Sequence, residues 1–259
     1  MIIPFNKYQG AGNDFIMINN TQKVFDPRNN SLVAKLCDRR FGIGADGLIL
    51  VSESKEYDFE MIYFNSDGYE STMCGNGGRC ASRFAINSGM AGNKMIFKAI
   101  DGIHRSSAEG DIIRLQMNDV VSPKIINGSY FLNTGSPHYV IFTKNVAGIN
   151  VNEEGKKIRW SEDFKPGGTN VNFVEIEDNS LFVRTFERGV EEETLSCGTG
   201  VTASAIASVL SGHFDMSPVR IRTRGGNLSV SFNVSKEKIN DIWLSGPATF
   251  VFEGKIEIN

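Results

Sequence analysis

The chain has 259 residues and a formal net charge of −3, from 27 basic and 30 acidic side chains. A nucleic-acid surface needs a strong basic excess, so this balance argues against nucleic acid as a partner. Apolar residues make up 41% of the chain and charged residues 22%, a composition typical of globular proteins with a sizeable core. The length predicts one large domain or two domains of roughly 100–150 residues.

The N-terminal segment MIIPFNKYQG lacks the basic and apolar regions of a secretion signal. No run approaches the roughly 18 apolar residues of a membrane span, so we expect a cytoplasmic protein with no membrane partner. The four cysteines, Cys37, Cys74, Cys80 and Cys197, contain no C-x-x-C pair. They are too few for a disulfide scaffold, and neither they nor the histidines show the spacing of a metal site.

Short β-rich runs dominate the chain, and Gly, Asn or Asp clusters join many of them as in antiparallel hairpins. In chain order, strands are predicted over 14–19, 48–52, 59–64, 95–100, 111–117, 138–143, 170–177, 181–186, 219–226, 228–232, 241–245 and 248–258. Helices are predicted from Ser31 toward Arg39 and directly after Cys74 and Cys197.

An internal repeat places Cys74-Gly-Asn-Gly77 in register with Cys197-Gly-Thr-Gly200, 123 positions later. The same offset pairs Gly12 with Gly135, Ser88 with Ser211, and Gly89 with Gly212. Matches held at one offset over this distance indicate a duplication. The offset also predicts that Phe64 corresponds to Glu187 and Asn65 to Arg188.

The duplication predicts an α+β fold of two pseudo-symmetric domains, each a mostly antiparallel sheet or barrel around a central helix. The N-terminal half, residues 1–118, carries Cys74, and the last strand, about 248–259, is expected to return to it. The C-terminal half, residues 119–247, carries Cys197.

Each repeated cysteine is predicted at the N-cap of a helix. The first four N–H groups of a helix lack intrahelical partners and carry an effective charge of about +0.5, so a carboxylate binds there. The same field lowers a thiol pKa from about 8.5. Two such helix starts in one cleft would allow one thiolate to remove an α-proton while the other thiol protonates the opposite face, without a cofactor.

The sequence resembles the diaminopimelate epimerase family in segments that span nearly the whole chain. They are FNKYQGAGNDFIMIN (5–19), FGIGADGLILV (41–51), FNSDGYESTMCGNGGRC (64–80), GSPHYV (135–140), GTNVNFVEI (168–176) and FERGVEEETLSCGTG (186–200). The resemblance implies a pyridoxal-independent epimerase that interconverts LL- and meso-2,6-diaminopimelate in lysine and peptidoglycan-precursor biosynthesis. It implies diaminopimelate as the small-molecule partner, no cofactor and no metal, with a homodimer as the assembly to be tested.

Carried over by position, the resemblance makes Cys74 and Cys197 the catalytic pair, with Cys74 the proton donor and Cys197 the acceptor in the LL-to-meso direction. Backbone amides implied to hold the α-carboxylate belong to Gly75, Asn76, Gly198 and Thr199. Residues implied to bind the rest of the substrate are Asn13, Asn65, Asn172, Glu187 and Arg188. His138 and Glu187 are implied to tune the pKa values of the thiols.

Three features depart from the family pattern. Ser136 stands where many members have an Asn that touches substrate, and Gly47 stands where Gln is common. The stretch from Glu187 to Cys197 is one residue longer than usual.

Other readings compete with this one. Cys37 and Cys80 lack flanking glycines and are predicted to be core residues. The three Asn residues serve turns in many proteins, and a His near a Pro turn is more often structural. A nucleotide-binding module is an alternative from another class, but CGNGG lacks the Lys-Ser/Thr of a P-loop and GAGNDF leads into a strand. Sister enzymes of the same fold, a proline or hydroxyproline racemase or a phenazine-synthesis isomerase, are the closer alternative; the last generally lacks the cysteine pair.

Overall fold

The structure, a computed structural model, describes residues 2–121, 123–235 and 238–258. The chain forms two compact units, the first from Met1–Leu115 with Gly246–Asn259 and the second from Gln116–Ser245. The strands are β1 (Ile2–Gly10), β2 (Asn13–Asn19), β3 (Gly47–Ser52), β4 (Phe59–Asn65), β5 (Glu70–Ser71), β6 (Lys94–Ala99), β7 (Gly102–Glu109), β8 (Ile112–Gln116), β9 (Val120–Val121), β10 (Lys124–Ile126), β11 (Ser129–Asn133), β12 (Pro137–Phe142), β13 (Asn170–Glu177), β14 (Ser180–Glu187), β15 (Glu192–Thr194), β16 (Val219–Thr223), β17 (Gly226–Val234), β18 (Lys238–Pro247) and β19 (Thr249–Glu257). The α-helices are α1 (Asn30–Cys37), α2 (Gly75–Asn87), α3 (Val151–Arg159) and α4 (Gly198–Leu210), with 3₁₀ turns at Val146–Gly148 and Glu162–Phe164.

In the first unit, β1 pairs antiparallel with both β2 and β19. The strands β2 and β3 are parallel, as are β4 and β6, while β3 pairs antiparallel with β4 and β6 with β7. Parallel neighbours need a crossover connection, usually a helix. The helix α1 supplies it between β2 and β3, and α2 supplies it between β4 and β6.

The second unit repeats this order of elements. The strands β12 and β13 are parallel with α3 between them, and β14 and β16 are parallel with α4 between them. Antiparallel pairs join β11 to β12, β13 to β14 and β16 to β17. The predicted α+β fold of two similar, mostly antiparallel units is confirmed.

The helices α2 and α4 are the central helices of their units. Strands β1, β2, β3, β4, β7 and β19 pack against α2, and strands β11, β12, β13, β14, β16 and β17 pack against α4. Residues 201–208 of α4 are all buried. Its hydroxyl side chains stay satisfied because they donate to carbonyls of the same helix, as Thr202 does to Gly198 and Ser204 to Gly200.

The outer faces of the sheets carry separate apolar clusters. In the first unit, Val33 and Leu36 of α1 pack with Ile16 and Leu48. In the second unit, Val151 of α3 packs with Phe182 and Phe186. Each sheet is therefore covered by the central helix on one face and by α1 or α3 on the other.

The sequence analysis did not predict α3. Apolar residues in α3 are limited to Val151 and Ile158, so its hydrophobic periodicity is weak. Its start was nevertheless readable, because Asn150 caps the amide of Glu153 and acidic residues fill the first turn. Seven strands were also not predicted from the sequence, and several of them are short or polar: β1, β5, β7, β9, β10, β11 and β15.

The predicted correspondence of Phe64 with Glu187 and Asn65 with Arg188 is wrong. In the first unit Ile16 of β2 pairs with Leu48 of β3, and Leu48 pairs with Phe64 of β4. Tyr139 stands at the position of Ile16 in the second unit; it pairs with Val171 of β13, and Val171 pairs with Phe186 of β14. Phe64 therefore corresponds to Phe186 and Asn65 to Glu187, and one additional residue before Cys197 restores the 123 offset at the helix.

Among the residues described, no helix has both the length and the apolar character required to cross a membrane.

We predict that Gly155→Ala lowers the melting temperature. Alanine favours a helix by about 1 kcal/mol over glycine, but a Cβ at position 155 would lie 2.3 Å from the Cβ of Phe186. Overpacking of that kind costs about 1–3 kcal/mol or more, so we expect a fall of roughly 2–6 °C by calorimetry. Gly92→Ala is the matched control, because its Cβ would meet nothing within 4 Å. Equal melting temperatures for the two variants would contradict close packing of α3 on β14.

Candidate active site

Cys74 and Cys197 occupy the N-caps of the two central helices, as the sequence predicted. The first helical hydrogen bonds run from Gly78 to the carbonyl of Cys74, at 2.8 Å, and from Val201 to the carbonyl of Cys197, at 2.9 Å. Amides earlier in each first turn have no intrahelical acceptor. In α2 they include the amides of Gly75 and Asn76, and in α4 those of Gly198 and Thr199.

The Cys74 thiol is half-buried and touches the start of α2 and the start of β2. Its Sγ accepts a hydrogen bond from the amide of Gly77 at 3.1 Å, and the Oδ1 of Asn13 lies 4.0 Å from the Sγ. The structure therefore brings together Cys74 and Asn13, two of the residues singled out in the sequence. The hydrogen bond from the backbone N–H of Gly77 stabilises the thiolate form of Cys74, because an N–H group can only donate.

Asn13 is held by a network of charges. Its Nδ2 donates to the Oδ2 of Asp46 at 2.6 Å, and Arg39 bridges Asp46 and Asp14 at 2.7 Å each. Lys7 pairs with Asp14 at 2.8 Å. Burial alone would raise the pKa of Asp14, but Arg39 and Lys7 outweigh it and hold that pKa well below its usual range. The sequence analysis did not include this network.

Cys197 lies at the end of a chain of hydrogen bonds inside the second unit, which we call the Cys197 chain. Its Sγ is 3.4 Å from the Oγ1 of Thr199, and that Oγ1 is 2.8 Å from the Nε2 of His138. The Nδ1 of His138 is 3.1 Å from the Nδ2 of Asn172. Thr185 closes the chain by donating to the Oδ1 of Asn172 at 2.9 Å.

The direction of the Cys197 chain follows from Asn172. Its Nδ2 also donates to the carbonyl of Tyr139 at 3.3 Å, so the amide nitrogen faces His138. The Nδ1 of His138 is then an acceptor, and its proton sits on Nε2, from which it donates to Thr199. The pKa of His138 is lowered to about 3, chiefly by burial and in smaller part by the charge of Arg188, while the hydrogen bond with Asn172 acts in the opposite direction. His138 is therefore neutral at physiological pH.

Gly200 lies against the Cys197 chain at a point where there is no room for a side chain. A Cβ at Gly200 would lie 2.5 Å from the Oδ1 of Asn172 and 3.2 Å from the Oγ1 of Thr185. The second glycine of the repeated motif thus lets α4 approach the strands that carry Asn172 and Thr185.

Arg188 follows the end of β14, and its backbone is fixed by Asn170. The Oδ1 of Asn170 accepts from the amide of Arg188 at 2.8 Å, while its Nδ2 donates to the Oγ of Ser136 and the carbonyl of Pro137, both at 2.8 Å. Glu187 is the last residue of β14, and the Arg188 side chain is exposed. Sequence analysis missed Asn170, although its spacing of two from Asn172 put both on one face of a strand.

Gly47 and Asn65 pair directly where β3 begins and β4 ends. A Cβ at Gly47 would lie 2.5 Å from the carbonyl oxygen of Phe64. A side chain at position 47 would therefore clash with the backbone of β4 in this structure.

Cys37 and Cys80 are core residues, as predicted. Burial raises the pKa of each thiol to about 12. Neither is available as a thiolate at neutral pH.

Comparison with known proteins identifies the family of the chain. A family model described as diaminopimelate epimerase matches residues 5–120 and 130–251. A diaminopimelate epimerase of Flavobacterium psychrophilum is 52% identical over 252 residues, covering 96% of this chain and 98% of that relative.

Solved structures share the fold over its whole length. A phenazine biosynthesis protein of the PhzF family from Bacillus anthracis has a TM-score of 0.80 at 15% identity, with 100% of both chains covered. A hydroxyproline epimerase from Agrobacterium vitis has a TM-score of 0.70 at 12% identity, covering 98% of this chain and 92% of that one. Both identities are low, so these two likenesses show the fold alone. The extent of the family match and the identity to the Flavobacterium relative show that this chain belongs to the diaminopimelate epimerase family.

Proposed function

We propose that the protein interconverts LL- and meso-2,6-diaminopimelate, using Cys74 and Cys197 as the acid and base. The observation that supports this most directly is the repeated placement of a cysteine at the N-cap of each central helix, in a chain of this family. The proposal includes a cytoplasmic location and a place in lysine and peptidoglycan-precursor biosynthesis.

The proposed reaction moves two protons and needs no cofactor. In the LL-to-meso direction the Cys197 thiolate takes the α-proton, and the electron pair of the broken C–H bond passes into the α-carboxylate. The first-turn amides of α2 and α4 stabilise the charge that develops there. The Cys74 thiol then donates its proton to the opposite face, which leaves Cys74 as thiolate and Cys197 as thiol.

The Cys197 chain supports the role of Cys197 as base. Because neutral His138 donates to Thr199, the hydroxyl proton of Thr199 is available to Cys197. A hydroxyl that donates to sulfur favours the thiolate over the thiol. We propose that His138 and Asn172 act on the reaction through Thr199, since the Asn172 amide is fully buried and bonded to His138, Tyr139 and Thr185.

Recognition of the second amino-acid head is assigned to Glu187 and Arg188, with Asn13 and Asn65 as further contacts. Diaminopimelate has an ammonium and a carboxylate at its distal end, and these require an anion and a cation. The guanidinium fork of Arg188 can bind a carboxylate through two parallel hydrogen bonds. Asn170 supports this role by holding the backbone of Arg188 at the end of β14.

The two-thiol mechanism predicts that Cys74→Ser and Cys197→Ser each reduce epimerisation by about 10²–10⁴-fold, because a hydroxyl is far harder to deprotonate than a thiol. Wild-type enzyme in heavy water should place deuterium at the inverted carbon. Melting temperatures of both variants should stay close to wild type. Near-native turnover of either variant would contradict the mechanism. Cys37→Ser is the matched control, because that thiol is buried.

The Cys197 chain predicts a higher Cys197 pKa in Thr199→Val. Losing one hydrogen bond to a charged sulfur should raise it by roughly one to two units. The measurement is the pH dependence of iodoacetamide alkylation in a Cys74→Ser background. Thr199→Ser should retain the wild-type profile. Thr202→Val, a control in the next turn of α4, removes a hydroxyl that bonds to Gly198 instead. Coincident profiles for Thr199→Val and Thr202→Val would refute the assigned role of Thr199.

The substrate assignment predicts that Arg188→Met and Arg188→Lys lose roughly 10- to 100-fold in kcat/KM for LL-diaminopimelate, as expected for hydrogen bonds to a charged group. Arg28→Met, at an exposed surface pair with Asp26, is the control. Wild type should not turn over proline or hydroxyproline, which lack the second head. Efficient turnover of proline, or full activity of Arg188→Met, would instead favour a racemase of simpler amino acids.

A further inference from the structure

Arg79 is a fully buried guanidinium in the central helix of the first unit. Its Nη1 donates to the carbonyl of Gly75 at 3.0 Å, and its Nη2 donates to the Oδ1 of Asn76 at 2.9 Å. Its Nε lies 3.5 Å from the carbonyl of Pro247. The charge is thus fixed against the two residues that follow Cys74.

The charge of Arg79 has no carboxylate partner in the described part of the chain, and the acceptors named above are neutral. Isolating a cation from water is costly unless an anion compensates it. Burial lowers the pKa of Arg79, while Cys80 and Cys74 act in the opposite direction. These two thiols are the groups whose negative charge acts on Arg79.

Cys74 is the thiol that can respond. The Cys80 thiol is fully buried, and its pKa is raised to about 12 even with Arg79 beside it. Cys74 is half-buried, sits at the helix N-cap and already accepts a hydrogen bond from Gly77.

The second unit shows that a central helix of this fold can form without a buried guanidinium at the position of Arg79. Thr202 stands 123 positions after Arg79, and its hydroxyl donates to the carbonyl of Gly198 at 2.9 Å. Gly198 corresponds to Gly75, the residue whose carbonyl accepts from Arg79. A neutral hydroxyl thus satisfies in α4 the backbone group that a guanidinium satisfies in α2.

We propose that Arg79 is a positioning residue whose buried charge stabilises the thiolate of Cys74. This deepens the proposed function and rests on it, because the Cys74 thiolate is the species left after LL-to-meso inversion. One thiolate is then stabilised by a fixed charge and the other, at Cys197, by a neutral hydrogen-bond chain. The two halves of the duplicated protein therefore stabilise their thiolates through different interactions.

Other titratable groups also face α2 and enter the pH dependence of Cys74. Asp14 of β2 acts on the neighbouring Cys80, and Lys7 neutralises Asp14. Tyr8 of β1 packs on Phe84, and Asp101 accepts a hydrogen bond from the amide of Met73 at 3.3 Å, next to Cys74. His104 pairs with Asp101, while Glu253 and Lys255 lie on β19. None of these is altered in the test below.

The test is the pH dependence of Cys74 alkylation by iodoacetamide in a Cys197→Ser background. We expect a Cys74 pKa below the ordinary thiol value of about 8.5. Arg79→Gln, which keeps donors but removes the charge, should raise that pKa by at least about one unit, a tenfold change in the thiolate equilibrium. Arg79→Lys should recover part of the shift. Arg83→Gln, one turn further along α2, should leave the profile unchanged, because Arg83 is bonded to the carbonyl of Gly110.

A profile of Arg79→Gln that coincides with that of Arg83→Gln would overturn the proposal. A second measurement needs no Arg79 variant: raising the salt from 0.1 to 1 M should move the Cys74 pKa by less than about 0.3 unit, since buried charges are poorly screened. A rise of about one unit would assign the effect to exposed charges instead.

Both readouts are independent of turnover. A low, salt-insensitive Cys74 pKa in a protein that does not epimerise diaminopimelate would overturn the proposed function and leave the Arg79 assignment standing. An active enzyme in which Arg79→Gln leaves the Cys74 pKa unchanged would overturn the Arg79 assignment and leave the proposed function standing.

Discussion

The structure depends on burying the start of a helix. A helix whose first turn is buried against a sheet has backbone N–H groups that water cannot reach. Those N–H groups need hydrogen-bond acceptors from the protein or from a ligand. Here each buried start carries a cysteine at the N-cap and glycines in the first turn. Side chains larger than hydrogen at Gly77 or Gly200 would press on Cys74 or on Asn172, respectively. The same constraint that crowds the backbone leaves first-turn amides able to receive an anion.

The surroundings of the two thiols differ because the duplicated halves filled the same positions with different chemistry. By strand register Phe15 of β2 corresponds to His138 of β12, and Gly47 corresponds to Asn170. The first unit uses ionic groups around Asn13, namely Lys7, Asp14, Arg39 and Asp46. The second unit uses neutral amide, imidazole and hydroxyl groups. The proposed two-thiol mechanism requires only that each cysteine can form a thiolate, so it does not require the two surroundings to be identical.

The sequence was sufficient to predict the parts of the fold that have strong local signals. The Cys-Gly-x-Gly repeat located both central helices to the residue, and Gly89 and Gly212 marked their ends with positive φ angles of 72° and 74°. The helix α3 was missed because it has few apolar residues, while the close approach of Gly155 to Phe186 joins residues that are distant in the chain. The correspondence predicted for Phe64 failed because the extra residue between Glu187 and Cys197, noted in the sequence, lies after the strand, so the 123 offset of the helices does not hold for β4 and β14.

The same limit applies to the site. The two cysteines were singled out by the internal repeat, and His138 and the asparagines by the family resemblance. Arg79, Thr185 and Asp46 were not singled out, because their roles arise from what the fold places beside them. A guanidinium in a small-residue helix gives no sign in the sequence of being fully buried. Burial and the absence of a carboxylate partner among the described residues are properties of the folded chain, and they decide which residues carry charge into the interior.

The pairing of β1 with β19 has a consequence for how the protein folds as it is made. Ile2 pairs with Glu257, so the sheet of the first unit is completed by a strand synthesised after the whole second unit. The second unit is continuous in sequence, whereas the first is built from two separated segments. Until residues 249–257 emerge, β1 presents an unpaired edge of the kind that invites aggregation. The edge that stays unpaired longest therefore belongs to the first unit, although the residues of β1 are the first to be synthesised.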